Sequence, residues 1–146
     1  NINPKKMKLK QHITISLFFS AFFYTISNSW IIFGSSFISG ILIDIDHILD
    51  YFMEHRINIQ IKQFFDVFHN YKMSRAWLIF HSWELLFLLG ISAFIVRWNP
   101  WIVGTVVGFT QHIVLDQIFN KSNKLSYSFY WRLKKGFRLK RCFRIE

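Results

Sequence analysis

The sequence predicts an all-α integral membrane protein, a four-helix bundle made of two antiparallel hairpins, with an interfacial cytoplasmic loop and a basic C-terminal tail. Of its 146 residues, 52% are hydrophobic and 20% are aromatic, more than an ordinary soluble domain needs. The net charge is nevertheless +10, and the charges are segregated. Residues 11–49 contain no Lys or Arg, and residues 76–120 contain one basic residue, Arg97. These two stretches are typical of membrane-spanning segments.

Each hairpin consists of two helices joined by a short polar turn. The predicted helices cover residues 13–27, 30–50, 76–96 and 100–120. Ser27 to Ser29 form the first turn, Arg97 to Asn99 form the second, and Pro100 suits the first position of a helix. At about 1.5 Å per residue, some 20 residues cross a hydrocarbon core of roughly 30 Å. The first helix is the shortest of the four.

The basic residues predict the orientation. They flank the predicted spans on one side: Lys5, Lys6, Lys8 and Lys10 before the first helix, Arg56, Lys62, Lys72 and Arg75 in the central connection, and nine Lys or Arg after Asn120. Because Lys and Arg near spans are retained in the cytoplasm, both termini and the central loop are expected on that side.

Two segments are expected to bind the membrane surface. In the central loop, Ile61, Phe64, Phe65 and Phe68 recur at helical spacing, which predicts an amphipathic interfacial helix. Residues 1–120 form the predicted membrane-embedded domain, and residues 121–146 form a basic tail with interleaved aromatic residues. Such a tail is typical of binding to anionic lipid headgroups. No nucleic-acid motif accompanies it, so nucleic acid is not an expected partner. Small-residue helix faces also permit a homodimer.

Polar residues recur at helical spacing inside two of the apolar stretches. Gly104, Gly108, His112 and Asp116 are spaced by four, and so are Ser36, Gly40 and Asp44, with His47 following Asp44 by three. Each series therefore lies on one helix face. Small residues allow close approach of helices in lipid, and ionisable residues at membrane depth indicate a functional site.

The predicted topology gathers the polar residues at the cytoplasmic end. They are His12, Asp44, Asp46, His47, His81, Glu84, His112 and Asp116. Imidazole and carboxylate groups without cysteine suit a divalent metal, zinc first, with manganese or iron as alternatives. Such an ion neutralises carboxylates near lipid and lowers the pKa of a bound water from about 15.7 to about 7, which suits hydrolysis. The phosphoester of a lipid headgroup is the nearest substrate.

Other polar residues have alternative candidate roles. Asp46 lies about 200° around a helix from Asp44, so it is a ligand after a helix break, a ligand of a second ion, or a partner that orients a histidine. In the central loop, Asp66 and His69 share one face and are an acid or base candidate. The candidate catalytic residues are Asp44, Glu84 and His69.

The order and spacing of the motifs resemble the membrane-bound metal-dependent hydrolase family often called YdjM-like. The motifs are a histidine soon after the N-terminus, Gly40-Ile-Leu-Ile-Asp-Ile-Asp-His47, His81-Ser82 and His112-Ile-Val-Leu-Asp116, within residues 7–120. That family is grouped with the zinc-dependent phospholipase C superfamily, whose members bind several zinc ions through His and Asp and cleave phosphoesters. The resemblance implies metal ligation by His12, Asp44, His47, His81, His112 and Asp116.

The sequence departs from the family pattern at two places. Ile43 stands where the family commonly has Pro, and Trp77-Leu-Ile-Phe-His-Ser-Trp-Glu84 stands where it has His-Arg-Gly-x-Thr-His-Ser. One family histidine is therefore missing, and Glu84, His69 and His55 are the candidate replacements.

Two functions of different classes remain open at the level of sequence. In the first, the protein is a metal-dependent phosphoesterase at the cytoplasmic membrane face. In the second, it is a non-catalytic membrane module whose His/Asp cluster is a structural metal site or an ion relay. A catalytic site keeps a coordination position open, whereas a structural site is closed.

Overall fold

The structure is a computed structural model that describes residues 9–55, 73–120 and 122–143, apart from the side chain of His55. Within these ranges it has seven helices and no strand, which confirms the all-α class. The helices are α1 Leu9–Ser27, α2 Trp30–Leu42, α3 Ile45–His55, α4 Trp83–Ile95, α5 Pro100–Phe119, α6 Phe129–Lys134 and α7 Leu139–Cys142. The predicted interfacial helix of the central loop lies outside the described residues.

The two predicted turns join α1 to α2 and α4 to α5. Ser29 caps α2 by accepting a hydrogen bond from the backbone N–H of Ile32 at 3.4 Å. Asn99 caps α5 by accepting from the N–H of Trp101 at 3.0 Å, and Pro100 occupies the first turn of that helix, as predicted. These caps satisfy donors that a helix N-terminus leaves unpaired.

Glycine on α5 allows that helix to pack closely along α2. A Cβ atom at Gly108 would lie 2.8 Å from the backbone nitrogen of Gly40 and would also overlap the carbonyl oxygen of Ser36. Because backbone atoms cannot swing away, only glycine fits this contact. α1 packs on α2 and α4 packs on α5.

The contacts between α1, α2 and α5 are lined by small and polar side chains, whereas the core of a soluble protein is lined by large apolar ones. Small and polar residues are buried between the helices: His12, Ser16 and Ser20 on α1, and Ser35, Ser36, Ser39 and Gly40 on α2. Large apolar side chains point outward, with Phe94 71% and Phe18 70% exposed. Helices that pack in lipid use small residues at their contacts, since lipid supplies no hydrophobic drive for association.

The predicted second helix is interrupted in the structure. α2 ends at Leu42 and α3 begins at Ile45, with a turn at residues 43 and 44. There the N–H of Asp44 bonds to the carbonyl of Ile41 at 3.2 Å, and the N–H of His47 bonds to that of Asp44 at 3.1 Å. The switch to a three-residue spacing tightens the turn, so the directions of Asp44 and Asp46 differ from those on a continuous helix.

The predicted start of the third helix at Ala76 is wrong, because α4 begins at Trp83. Residues 73–82 are not helical, and several of their N–H groups, such as those of Trp77 and His81, bond to carboxylates of α3 instead of to carbonyls of their own segment. With 13 residues, α4 rises about 20 Å, less than the roughly 30 Å of a hydrocarbon core. In the described part of the chain, two helical segments are long and apolar enough to cross a membrane by length and composition: Trp30–Glu54 and Pro100–Phe119.

The described part of the C-terminal tail folds back onto the helices. Tyr127, Leu139, Cys142 and Phe143 join one buried apolar cluster with Ile43, Tyr51, Met73, Ala76, Leu78 and Ile113. Backbone bonds also connect the tail to residues 73–83, for example from the N–H of Ala76 to the carbonyl of Phe137 at 2.8 Å. The tail therefore packs at the end of the bundle that holds the polar residues.

Candidate metal centre

Four of the predicted ligands converge at this end of the bundle. Oδ1 of Asp44 lies 3.4 Å from Nε2 of His112 and 3.7 Å from Nε2 of His81. Oδ2 of Asp116 lies 3.6 Å from Nε2 of His81 and 3.8 Å from Nε2 of His112. The four side chains come from the α2–α3 turn, the segment before α4, and two successive turns of α5.

The ring of His112 is held in one orientation by α2. Its Nδ1 atom lies 2.7 Å from the carbonyl oxygen of Gly40. A carbonyl only accepts hydrogen bonds, so Nδ1 carries the proton and Nε2 offers a lone pair to the centre. The close approach of α5 to α2 at Gly108 is what brings His112, one turn later, within reach of that carbonyl.

His81 is held in the equivalent way by a carboxylate. Oδ2 of Asp46 accepts from the backbone N–H of His81 at 2.9 Å and lies 3.1 Å from its Nδ1 atom. The same oxygen accepts from the N–H of Phe80. Asp46 was predicted either as a ligand or as a partner orienting a histidine, and its position fits the second role.

The spacing of the two imidazoles suits a metal ion. Nε2 of His81 lies 3.3 Å from Nε2 of His112, although both rings use Nδ1 as the donor. Zn–N bonds of about 2.0–2.1 Å at a tetrahedral angle place two ligand nitrogens about 3.3–3.4 Å apart. Two lone pairs facing each other at this distance repel unless a proton or a metal cation lies between them. The buried His/Asp group can therefore hold a divalent ion, and nitrogen and oxygen donors suit zinc, manganese or iron.

His12 extends the cluster on the side of α1. Its Nε2 atom lies 3.3 Å from Oδ1 of Asp116, and its ring stacks on that of His112 with centroids 4.2 Å apart. His12, His112 and Asp116 form a second group with metal-ligand spacing, and all three are buried. Asp116 thus offers one oxygen to each group.

The cluster is partly exposed at Asp44 and His47. Nε2 of His47 lies 3.6 Å from Oδ1 of Asp44, and the two side chains are 18% and 20% exposed, respectively. The side chains of His81 and His112 are fully buried. Among the described residues, the exposed part of the cluster therefore lies at the α2–α3 turn.

A stripe of acidic residues on α3 positions the segment that carries His81, and the sequence reasoning missed most of it. Glu54 accepts from the N–H of Ser74 at 2.9 Å, and Asp50 accepts from the N–H of Trp77 at 3.0 Å. With Asp46, these carboxylates follow one another at intervals of four residues. That spacing was visible in the sequence and could have identified an acidic helix face.

Arg132 of the tail is a second residue that the sequence did not reveal. It is fully buried and donates to the carbonyls of Leu78 at 2.7 Å, His81 at 2.9 Å and Ser126 at 2.9 Å. Burial lowers the pKa of the Arg132 guanidinium, which still remains protonated near neutral pH. Its partners are backbone carbonyls that no motif records. Nearby, the hydroxyl of Tyr127 donates to Oδ2 of Asp116 at 3.4 Å.

The structure does not bring Glu84 into the cluster. Its carboxylate accepts from the hydroxyl of Ser128 at 2.6 Å and from the N–H groups of Phe129 at 2.8 Å and Tyr130 at 3.2 Å. Glu84 therefore binds the N-terminus of α6, where a negative charge is favourable, and the assignment of this residue to catalysis or ligation is corrected. His69 and Asp66 lie outside the described residues.

Comparisons with known proteins give no relative. No family model matches the chain, and no curated protein and no solved structure matches it either.

Proposed function

We propose that this protein is a membrane-embedded, metal-dependent hydrolase that cleaves a phosphoester of a membrane-associated substrate at the cytoplasmic face. One observation carries the proposal: the Nε2 atoms of His81 and His112 face each other at 3.3 Å while both Nδ1 atoms are bound to acceptors. Asp44 and Asp116 complete the donor set, and Asp44 is reachable from outside. A closed structural site does not need such access.

The membrane part of the proposal rests on the outer surface of the helices. Two apolar segments have the length of a span, and large apolar side chains point outward along α1, α4 and α5. In this proposal the membrane bundle consists of α1, α2, α4 and α5. The cytoplasmic assignment rests on the basic residues that flank the apolar stretches.

The exposed basic residues of the tail support an anionic lipid surface as the partner. Among the described residues they are Lys124, Lys134, Lys135, Arg138, Lys140 and Arg141. Lys134 lies 4.5 Å from the ring centroid of Tyr130, a side chain that is itself 59% exposed. Each basic residue near an anionic membrane contributes on the order of 1 kcal/mol. These residues lie in the part of the chain that packs next to the cluster, where they can also hold a phosphate.

The residues of the centre have distinct tasks in this proposal. Asp44, His81, His112 and Asp116 hold the ion, which when bound supplies Lewis acidity and activates water. Asp46 keeps the proton of His81 on Nδ1, and the carbonyl of Gly40 does the same for His112. Asp44 and His47 border the opening through which a phosphoester reaches the centre. The resemblance to the YdjM-like hydrolases implies ligation by the same four residues and also by His12 and His47, which lie next to Asp116 and Asp44.

The alternative of an ion or proton relay also has an observation in its favour. Two buried hydrogen-bonded pairs lie in line along the helix contacts beyond the cluster, Gln111 with Ser16 at 2.5 Å and Ser36 with Ser20 at 2.8 Å. If this line conducts, purified protein in vesicles will move protons under an imposed pH gradient, and Ser20→Ala will slow that flux. A metal-dependent hydrolase needs no such flux.

The proposed function is tested first by metal analysis of detergent-purified protein. Wild-type protein and Glu84→Gln should contain a stoichiometric divalent metal, whereas the double variant Asp44→Ala/His112→Ala should contain none. Cobalt substitution then tests access, because inorganic phosphate perturbs the visible spectrum of a cobalt site that has an open position. Folded wild-type protein that binds no metal even after reconstitution would refute the proposal. Bound cobalt with a spectrum insensitive to phosphate would assign the site to structure.

A further inference from the structure

A groove lies between α2 and α5 at the surface of the bundle. Its volume is about 430 Å³, within the range of small-molecule sites. Its wall residues include Ile38 and Leu42 of α2, Trp101, Thr105 and Phe109 of α5, and Phe80. Ile38 is 52% and Trp101 is 60% exposed, so the groove opens sideways onto the apolar exterior.

The hydroxyl groups of the groove are satisfied by backbone carbonyls. Ser35 donates to the carbonyl of Ile31 at 2.7 Å, Ser39 to that of Ser36 at 3.3 Å, and Thr105 to that of Trp101 at 2.8 Å. These donors are therefore not available to an occupant. A hydrocarbon chain fits such a surface, whereas a polar ligand would lose hydrogen bonds to water without replacement.

One end of the groove lies beside the α2–α3 turn, which carries Asp44. Its wall includes Ile43 and Ile45, the two neighbours of Asp44 in the α2–α3 turn, and Phe80, which precedes His81. Asp44 is also the exposed member of the four converging ligands, at 20%. A molecule lying in the groove therefore has one end next to the accessible side of the centre.

We propose that the groove binds one acyl chain of the lipid whose phosphoester reaches the centre, which makes a long-chain phospholipid the substrate. This inference rests on the proposed function and names its substrate class. From Trp101 to Phe109 the groove extends along α5 for about 12 Å, close to the roughly 15 Å that one leaflet contributes to the hydrocarbon core. In a bilayer, acyl chains are also the medium that surrounds the groove.

The test is photo-crosslinking of the full chain in vesicles of phosphatidylcholine and phosphatidylglycerol. The probe is a phosphatidylglycerol with a diazirine near the end of one acyl chain, and crosslinked residues are identified by mass spectrometry. Labelling of residues 35–45 and 101–109 should exceed labelling of α4. Thr105→Phe fills the groove and should reduce this labelling about tenfold, whereas Thr105→Val, of matching size, should not.

A second pair of variants covers a failure of Thr105→Phe to fold. Ile38→Trp narrows the groove from the lipid side and should also reduce labelling, whereas Ile31→Trp, on the same helix but outside the groove, should not. Labelling spread evenly over the exterior, or a protein–protein crosslink through the groove showing that a second copy fills it, would overturn the inference.

The outcome separates the inference from the proposed function. Groove labelling without any metal-dependent cleavage of the probe refutes the proposed function and retains a lipid-binding groove. Metal-dependent cleavage of a short-chain soluble phosphodiester, with long-chain lipid cleaved no faster and no groove labelling, refutes the inference and retains the hydrolase. Cleavage of the long-chain probe that Thr105→Phe slows and Thr105→Val does not supports both.

Discussion

Oδ2 of Asp46 contacts His81 at two points, the backbone N–H at 2.9 Å and ring Nδ1 at 3.1 Å. It thus fixes both the position of the residue and the tautomer of its ring. Asp46→Asn keeps the size of the side chain but removes its charge and its preference for the Nδ1 proton. We expect zinc affinity to fall about 10- to 100-fold, measured by chelator competition. Unchanged affinity in the folded variant would exclude the orienting role.

Gly108 should control the geometry of the centre through helix packing. Gly108→Ala forces α5 away from the backbone of α2 and moves His112 from the carbonyl of Gly40. We expect a loss of about 1–3 kcal/mol in stability, with weaker metal binding, in thermal unfolding of the detergent-solubilised protein. Gly34→Ala is the matched control, because a Cβ at Gly34 meets no atom within 4 Å. Equal behaviour of the two variants would contradict the close-packing argument.

Glu84 should stabilise docking of the tail without affecting the metal. Glu84→Gln removes the charge that accepts three hydrogen bonds at the start of α6. Bonds to charged groups contribute about 1.5–3 kcal/mol each, so undocking of the tail should become about tenfold or more frequent. Metal content should stay at the wild-type level.

Cys142 provides the measurement of tail docking. It is the only cysteine of the chain and is fully buried, and burial raises the pKa of its thiol. The reactive thiolate is therefore scarcer at pH 7–8 than for a free cysteine, and labelling by a maleimide should require undocking. Glu84→Gln should label faster than wild type, while fast labelling of wild-type protein would contradict the buried position of the tail.

Arg132 should be required for the shape of the segment that presents His81. Its guanidinium donates to two carbonyls of that segment, those of Leu78 and His81, and to that of Ser126 in the tail, which a single ammonium cannot reproduce. Arg132→Lys and Arg132→Met should each cost several kcal/mol by leaving buried carbonyls unpaired. Arg138→Met, which removes an exposed basic residue, should leave the unfolding temperature unchanged. If Arg132→Met and Arg138→Met lowered the unfolding temperature equally, the loss of stability would come from the removed charge and not from the hydrogen bonds to backbone carbonyls.

Removal of the metal should lower the stability of the protein only when the metal-binding residues are intact. Binding to the folded state adds about 2.7 kcal/mol when the free metal is 100 times its dissociation constant. A chelator should therefore lower the unfolding temperature of wild-type protein and leave the Asp44→Ala/His112→Ala variant unaffected. Restoration by added zinc completes the test. A chelator effect of equal size in the variant would place the ion elsewhere.

The local sequence pattern was sufficient to predict the helical class, the two polar turns and the shared face of four residues on α5: Gly104, Gly108, His112 and Asp116. In each case the information lies in spacing along one helix or in a turn residue such as Pro100. The same is true of the inward direction of Asp44 and His112, because small residues on the same faces mark the contact between α2 and α5.

The structure of residues 73–82 shows where local pattern fails. Trp77 to Phe80 are apolar and compatible with a helix, and the sequence predicts one. The N–H groups of Trp77 and Leu78 instead bond to Asp50, and that of Phe80 bonds to Asp46, carboxylates that precede them by 27 to 34 residues. A backbone N–H can bond either to a carbonyl of its own helix or to a carboxylate that is distant in sequence. The sequence of one segment does not show which of these two acceptors it binds.

The sequence by itself determined the helical class, the outward apolar surface and the residue types of the centre, because these follow from composition and periodicity. Only the tertiary structure decided that Asp46 orients His81, that Glu84 binds the tail, and that Arg132 binds the backbone carbonyl of His81. These roles depend on which atoms meet across elements that are distant in sequence. The packing of α5 on α2 and the docking of the tail determine which of these atoms meet.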